Sequence, residues 1–345
     1  MPRLHQRFPR TRLGRTCGAV NGARSRWAAS VTILATAAAT MVAAGPAAAA
    51  VVGNAGASPQ TIRSTSSSDT GSSRPTAAFL ATATTTSGTT TAARYPRFGL
   101  AVPGGDPEGF EVAADAGLQS TWARLYAGGS VPTSLAAWPN ANAAARAGHR
   151  LWLSLALDVD ALKSGALDAQ LAHFVKTLPA GTRLTTNHEP SNRTKHISPA
   201  MFAAAWNHAA IVIRNASAGQ VLTGPIEIQA NVIKGGYLTG LNKSLVKFVG
   251  LDGYDGISGP QFATRSFQDV VGAAYAYTVK EFPHTRIGFA EFNSSRTTGW
   301  ARWVAAAMSW AKSVGADTAV LFTALDAWRE SPKRLRTLAD RLTRV

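Results

Sequence analysis

Eight short apolar runs, each the length of a β-strand, constrain the fold of this chain more than any other feature. They are Phe98–Val102, Thr121–Tyr126, Leu151–Leu157, Arg183–Thr186, Val221–Ile226, Phe248–Leu251, Ile287–Ala290 and Ala319–Phe322. Unbroken hydrophobicity of this kind is typical of parallel strands that are covered on both faces. The pattern therefore predicts a parallel sheet with helices packed against it.

Helix signals lie between these runs. Asp106-Pro107 places a capping acid before a first-turn proline, and Ser198-Pro199 repeats the arrangement with a serine. Between residues 298 and 314, Trp, Val and Ala recur at helical spacing, and Gly315 follows as a stop signal. We expect only a short helix within Leu238–Lys247.

Eight strands alternating with helices over about 250 residues predict an α/β protein with the (β/α)8 TIM-barrel fold. An open, doubly wound sheet would show the same alternation. The sequence has no Gly-rich phosphate loop after its first apolar run, since Gly104-Gly105 fits neither the G-x-G-x-x-G nor the Walker pattern. This favours the barrel and gives no support to nucleotide binding.

The first 95 residues differ from the rest. Residues 1–50 combine an arginine-rich start, an Ala-rich apolar middle and a small-residue end, which predicts a signal peptide cut near Ala50; an uncleaved membrane anchor is the alternative. Residues 51–95 are dominated by Ser, Thr, Ala and Gly and predict a linker, with the folded domain over residues 96–345. We expect a secreted, extracellular protein, with cell-surface association as a further option and no stable membrane insertion after cleavage.

The net charge of +16 would suit a nucleic-acid-binding protein if its basic residues formed one patch. Seven of the 35 basic residues and none of the 19 acids lie in residues 1–50, which leaves +9 for the remainder. The remaining Lys and Arg are scattered, so we expect no nucleic-acid partner and at most a mild attraction to anionic cell-surface polymers. Cys17 is the single cysteine and lies in the predicted signal peptide, so the mature protein has no disulfide to stabilise it.

Two glutamates at strand ends carry the predicted chemistry. Glu189 closes the fourth run in Asn187-His188-Glu189-Pro190, and Glu291 closes the seventh. In a barrel, the loops at the C-terminal ends of the strands build the active site, and strands four and seven face each other across its mouth. A retaining glycosidase needs two carboxyl groups about 5–5.5 Å apart, one as acid and base and the other as nucleophile. The sequence therefore predicts a glycosidase.

The same residues resemble glycoside hydrolase family 26, the β-mannanase family of clan A, over roughly residues 96–330. The resemblance rests on His188-Glu189, on the Val249–Tyr254 run in the sixth strand and on Ala290-Glu291. It implies Glu189 as acid/base, Glu291 as nucleophile, Tyr254 as a hydrogen-bond donor to the nucleophile, and His188 as a residue that contacts the sugar or orients the glutamate. It also implies endo-cleavage of a β-linked polysaccharide, with β-mannan as the first expectation. Pro190 departs from the family pattern and resembles the Asn-Glu-Pro of other clan families.

Three further residues complete the predicted substrate site. Arg124 lies inside the apolar second run and is either an interior partner for a glutamate or part of a structural ion pair. Asn187 adjoins the His-Glu pair, and Trp328 is the candidate sugar-stacking platform after the eighth strand. Trp122 could likewise pack or stack.

We expect no cofactor and no metal, because Asp158 and Asp160 lack a third nearby ligand. The protein should act as a monomer on a polysaccharide. Two alternatives stay open: a catalytically silent barrel that binds glycans at the cell surface, and a barrel hydrolase acting on β-glucan or an exopolysaccharide.

Overall fold

The computed structural model describes residues 97–102, 107–192, 197–256, 259–323 and 332–344. The predicted signal peptide and linker lie outside these ranges. Within them, no helix combines the length and apolar character needed to cross a bilayer.

Nine strands and nine helices alternate along the described residues. The strands are β1 Arg97–Ala101, β2 Trp122–Gly128, β3 Arg150–Ala156, β4 Arg183–Thr186, β5 Leu222–Thr223, β6 Ile226–Ile228, β7 Phe248–Asp255, β8 Arg286–Ser294 and β9 Thr318–Phe322. The helices are α1 Pro107–Asp115, α2 Pro139–Arg146, α3 Val159–Ser164, α4 Asp168–Val175, α5 Pro199–Ala216, α6 Gln229–Val232, α7 Phe267–Glu281, α8 Trp300–Ser313 and α9 Pro332–Leu342. Each predicted apolar run coincides with a strand, the fifth with two.

The strands form one parallel sheet in the order β5-β4-β3-β2-β1-β9-β8-β7-β6. Together β5 and β6 make one interrupted fifth strand, broken at Gly224-Pro225. It joins the two edges of the sheet, since the Thr185 hydroxyl donates to the Gly224 carbonyl at 2.8 Å and the Gly250 amide donates to the Pro225 carbonyl at 2.9 Å. The predicted (β/α)8 TIM barrel is therefore confirmed.

Gly224 is required at this break. A Cβ there would lie 2.1 Å from the Phe248 carbonyl oxygen, closer than any side chain can approach. Pro225 has no amide hydrogen to donate to a neighbouring strand. The two residues together explain why one apolar run becomes two short strands.

Two cores stabilise the barrel. Its interior contains a small cluster that includes Trp122, Trp152 and Phe248, while a larger core lies between the sheet and the surrounding helices. The buried guanidinium of Arg183 lies 4.5 Å from the Trp122 ring centre and 4.7 Å from that of Trp152, and it pairs with Asp317. Trp122 is therefore a packing residue, and the sugar-stacking interpretation of it is wrong.

Ser198 caps its helix as the sequence predicts, whereas the predicted cap Asp106 lies outside the described residues. The Ser198 side chain accepts a hydrogen bond from the Met201 amide at the start of α5, and Ser266 and Asp269 form a reciprocal capping box at the start of α7. The short helix expected within Leu238–Lys247 is misplaced, because the only helical turn between β6 and β7 is α6 at Gln229–Val232.

Candidate active site

Arg124 and Tyr126 lie on the inward face of β2 because successive side chains of a strand alternate between its two faces. Arg124 is completely buried, and its Nη1 donates to the Ser154 hydroxyl of β3 at 2.7 Å. Its guanidinium carbon lies 4.6 Å from the centre of the Tyr126 ring. Neighbouring strands therefore fix both the position and the orientation of this positive charge.

Glu291 reaches the barrel interior because of an irregularity in the strand pairing. Leu251 of β7 pairs with Phe289, but the next residue, Asp252, pairs with Glu291. Ala290 packs in the interior cluster while Phe289 and Phe292 both pack in the outer core. The bulge at Ala290 thus directs two consecutive residues, Ala290 and Glu291, towards the inside of the barrel.

Three donors surround the Glu291 carboxylate, which is 5% exposed. Tyr254 donates its hydroxyl hydrogen to Oε2 at 2.5 Å, and Tyr126 donates to Oε1 at 2.6 Å. Arg124 Nη2 lies 3.4 Å from the same Oε1. The sequence left two roles open for Arg124. The structure shows that it is the interior partner of a glutamate. One cation and two hydroxyl groups stabilise negative charge on Glu291.

The two tyrosines remain proton donors over a wide pH range. Burial raises the pKa of Tyr126 and of Tyr254 well above that of an ordinary phenol, and the nearby charge of Glu291 raises both further. The positive charge of Arg124 opposes this rise at Tyr126. Both hydroxyls consequently stay protonated at pH values at which an exposed phenol would lose its proton.

Glu189 lies at the end of β4 in a backbone conformation that side chains other than glycine rarely adopt. Its φ is 49°, and that of Asn187 is 52°. The Glu189 amide donates to the Ile226 carbonyl at 2.8 Å, and the Asn187 side-chain oxygen accepts from the Leu157 amide at 2.9 Å. These bonds to the neighbouring strands hold the turn. Backbone strain of about 1–3 kcal/mol per residue is a common feature of functional sites.

Asp252 is a third carboxyl group in the same place. It is fully buried on β7, and neither of its oxygens has a hydrogen-bond partner among the described residues. Burial raises its pKa well above the ordinary aspartate value, the charges of Glu291 and Glu189 raise it further, and Arg124 lowers it. Asp252 is therefore neutral under conditions in which an exposed aspartate is charged.

Glu189, Asp252 and Glu291 form one cluster, since each offers a carboxylate oxygen within 4.8 Å of the others. These are the described residues that could hold a small cation by oxygen ligands. Arg124 already supplies a positive charge beside Glu291. Carboxylate oxygens of the two glutamates are thus close enough for both groups to reach one substrate atom.

The structure brings five of the seven predicted site residues into this region, namely Arg124, His188, Glu189, Tyr254 and Glu291. The His188 ring lies 5.3 Å from that of Tyr126. Asn187 is adjacent, with its side-chain oxygen engaged in the turn. The prediction for Trp328 lies outside the described residues.

Three residues of the site were not predicted from the sequence: Tyr126, Ser154 and Asp252. Strand periodicity carried a signal for two of them. Tyr126 follows Arg124 by two residues and Asp252 precedes Tyr254 by two, so each shares the inward face of a residue already singled out. Ser154 has no such neighbour and becomes visible only through its contact with Arg124.

Comparison with solved structures finds the same fold in glycoside hydrolases of low sequence identity. The catalytic domain of a GH26 endo-β-1,4-mannanase from Bacillus sp. JAMB-750 matches with a TM-score of 0.50 and 15% identity, over 68% of this chain and 78% of that one. A GH26 β-mannanase from Bacteroides ovatus matches with 0.53 and 12%, over 73% and 89%. The protein XacCel5A matches with 0.52 and 12%, over 72% and 99%. The sequence matches no protein-family model and no curated protein.

The chain thus shares the (β/α)8 barrel fold of these glycoside hydrolases. At identities of 12–15% these matches show the fold alone and assign no family. Membership of family 26 stays a prediction.

Proposed function

We propose that this protein is a retaining glycoside hydrolase that cleaves a β-linked polysaccharide, with β-mannan cut internally as the first candidate. One observation carries the proposal: two buried glutamates from opposite barrel strands bring carboxylate oxygens within 4.8 Å of each other, and one of the two is held by three donors. The presence of β-mannanases among the solved structures with the same fold supports the choice of substrate.

Glu291 is the nucleophile in this mechanism. Tyr126, Tyr254 and Arg124 favour its ionised form and fix the direction of its oxygens. An oxygen of Glu291 attacks the anomeric carbon and forms a glycosyl ester while the glycosidic bond breaks. Glu189 gives its proton to the departing oxygen, which avoids release of an alkoxide.

Glu189 then acts as a base. It takes a proton from a water molecule, whose oxygen attacks the same anomeric carbon. The ester bond to Glu291 breaks, and the sugar leaves with its original anomeric configuration after two inversions. Burial and the charges of Glu291 and Glu189 raise the pKa of Asp252, which favours its neutral form and limits the negative charge of the site.

The decisive experiment measures reducing-sugar release by the full chain from mannans, glucans, xylans and bacterial exopolysaccharides, beside Glu291→Ala and Glu189→Ala. Glu281→Ala is the matched control, because Glu281 lies at the end of α7 and pairs with Lys243 on the outside. We expect release from one polymer, near-complete loss in both site variants, and unchanged activity in the control. Added azide should restore turnover in the two site variants and give glycosyl azides of opposite anomeric configuration, which assigns the two roles.

A folded protein that is silent on the whole panel would contradict the proposal. Binding of a polymer without turnover would then identify the glycan-binding barrel that the sequence leaves as an alternative. Release from glucan or exopolysaccharide alone would retain the chemistry and replace the mannan assignment.

Export is a separate proposal, which rests on the sequence pattern of residues 1–50. N-terminal sequencing of protein recovered from the culture medium tests it. A start near residue 51 is expected, and a start at Met1 in the membrane fraction would indicate the uncleaved anchor.

A further inference from the structure

An open cavity of about 410 Å³ lies between the beginning of α8 and one face of α9. Four basic residues line it, and no acidic residue does: Arg302, Lys333, Arg334 and Arg341. An adjoining cavity of about 340 Å³ continues along α9 past Arg341 and Arg344, where Asp340 is the acid that borders it.

One end of this cavity lies at the end of the barrel that carries the glutamates, and from there the cavity runs along α9 to Arg341 in its last turn. In a (β/α)8 barrel each helix runs opposite to its strand, so helices begin at the C-terminal ends of the strands. The cavity is lined by Gly299 and Trp300, where α8 begins directly after β8. The Trp300 indole nitrogen donates to the Asn293 side-chain oxygen at 2.8 Å, and Asn293 follows Glu291 by two residues on β8. One strand thus connects the catalytic carboxylate to the cavity wall.

The positive charges of the cavity are not neutralised by the described part of the chain. Arg302, Lys333 and Arg341 are exposed, and no described acid forms an ion pair with any of the four basic residues. Asp255 pairs with Arg296 at 3.0 Å, and Asp340 borders the adjoining cavity and not this one. Several cations that have no ion-pair partner among the described residues surround this cavity, and such a cluster attracts an anion.

Arg334 is held in place by its neighbours. Its guanidinium carbon lies 4.6 Å from the centre of the Trp300 ring, and its Nη2 donates to the Arg296 carbonyl at 2.8 Å. A guanidinium that is fixed before a ligand arrives loses less side-chain entropy on binding than a free one does. The cavity therefore combines one preorganised cation with three exposed ones.

From this arrangement we propose that the cavity binds anionic substituents, carboxylate or phosphate, on the polysaccharide whose backbone lies in the catalytic mouth. The inference rests on the proposed hydrolase function and makes the substrate class more specific: an acidic rather than a neutral β-linked polysaccharide. Guanidinium groups bind both anions through paired N–H donors.

The test compares matched polymers. A β-mannan and a β-glucan are each prepared in three forms: neutral, with part of the primary hydroxyls oxidised to carboxylates, and with part of them phosphorylated. Affinity is measured for the full chain carrying Glu291→Ala, so that binding is read without turnover, and KM is measured for the unmodified chain. Arg302→Gln with Lys333→Gln removes two exposed charges from the end of the cavity nearest the glutamates. Arg146→Gln with Arg214→Gln removes two exposed charges from the last turns of α2 and α5, at the other end of the barrel.

We expect a charged form to bind about threefold to tenfold more tightly than the neutral form, from two to four partly exposed ion pairs. The preference should disappear in the cavity variant and in high salt but survive in the control variant. The form that shows this preference, carboxylated or phosphorylated, identifies the anion that the cavity binds. Equal binding of all three forms, or equal loss in both double variants, would overturn the inference.

The two proposals fail in different ways. If no polymer is cleaved but a charged form binds with cavity dependence, the hydrolase function falls and the anion site stands. If the neutral polymer is cleaved as efficiently as the charged ones, with unchanged kinetics in the cavity variant, the hydrolase function stands and the anion site falls.

Discussion

The Tyr254 hydroxyl donates a hydrogen bond of 2.5 Å to Oε2 of Glu291 and joins neighbouring strands β7 and β8 inside the barrel. Because the acceptor is a carboxylate, this bond stabilises the charge that a nucleophile must carry.

Tyr254→Phe should therefore lower kcat/KM by about 10- to 100-fold while the protein stays folded, the amount expected for a lost hydrogen bond to a charged group. Tyr275→Phe is the control, because the Tyr275 hydroxyl donates to the Val314 carbonyl at 2.7 Å and has no contact with the site. Steady-state kinetics on the cleaved polymer measure both. Equal activity of Tyr254→Phe and Tyr275→Phe would show that the short bond does not contribute to turnover.

Arg124→Met should destabilise the protein by about 3–5 kcal/mol, because it leaves the buried Glu291 carboxylate without its cation. It also removes the partner of the Ser154 hydroxyl. Lys243→Met breaks an exposed ion pair of 3.1 Å with Glu281 and should cost no more than about 1 kcal/mol. Denaturant unfolding of the two variants provides the measurement, and equal losses would mean that the interior pair contributes no more than the surface one.

Asp252→Asn should change how stability depends on pH. Burial and the charges of Glu291 and Glu189 raise the pKa of Asp252 in the folded protein, so the folded state binds this proton more tightly than the unfolded state does. Its contribution is fully present below the unfolded pKa of about 4 and is lost as the pH rises through the folded pKa. The variant should gain stability relative to the unmodified protein as the pH rises from 4 to 8.

Asp317→Asn supplies the opposite case. Burial alone would raise the pKa of Asp317. The charge of Arg183, together with the hydrogen bonds that Asp317 accepts from Thr318 and Arg183, lowers this pKa overall. Its contribution is present above about pH 4 and is lost as the pH falls through the folded pKa. The free energy of unfolding of each variant is measured between pH 3 and 8 and compared with that of the unmodified protein. With rising pH, Asp252→Asn should gain stability relative to the unmodified protein and Asp317→Asn should lose it. A difference for Asp252→Asn that does not change with pH would contradict the raised pKa of Asp252.

Gly250→Ala should destabilise the barrel by about 1–3 kcal/mol through overpacking. A Cβ at Gly250 would lie 2.7 Å from Ile226, 2.9 Å from the Ala290 Cβ and 3.1 Å from Trp152. Gly272→Ala in the middle of α7 meets nothing closer than 3.6 Å and should instead stabilise by about 0.5–1 kcal/mol. Thermal unfolding distinguishes the two, and a stabilising Gly250→Ala would show that the interior is loosely packed.

The barrel was predictable because its signals are local. Buried parallel strands read as continuous apolar runs, and caps such as Ser198 lie beside the helices that they begin. The order Glu189 before Glu291 at the ends of the fourth and seventh strands also follows from counting runs along the chain. The Gly224-Pro225 pair is visible in the sequence of the fifth run. That it splits the strand becomes clear only from the close approach of the Phe248 carbonyl to Gly224.

The immediate surroundings of Glu291 were not predictable in the same way. Tyr126 comes from β2, 165 residues before it, and no local pattern indicates that the two side chains meet. The bulge at Ala290 is equally hidden, because strict alternation along β8 would place Ala290 and Glu291 on opposite faces. The basic cavity needs two helices to come together, and its residues are ordinary surface charges when read along the sequence.

By itself, then, the sequence determined the eight-strand barrel and the two glutamates at its mouth, because hydrophobic periodicity and strand order are properties of short stretches of chain. Only the tertiary structure decided what surrounds each carboxylate: two phenols and a guanidinium at Glu291, a strained turn at Glu189, and beside them a buried Asp252 whose pKa is raised. The reason is physical. Charge stabilisation and proton affinity depend on contacts between residues far apart in the chain, and those contacts exist only after the barrel has closed.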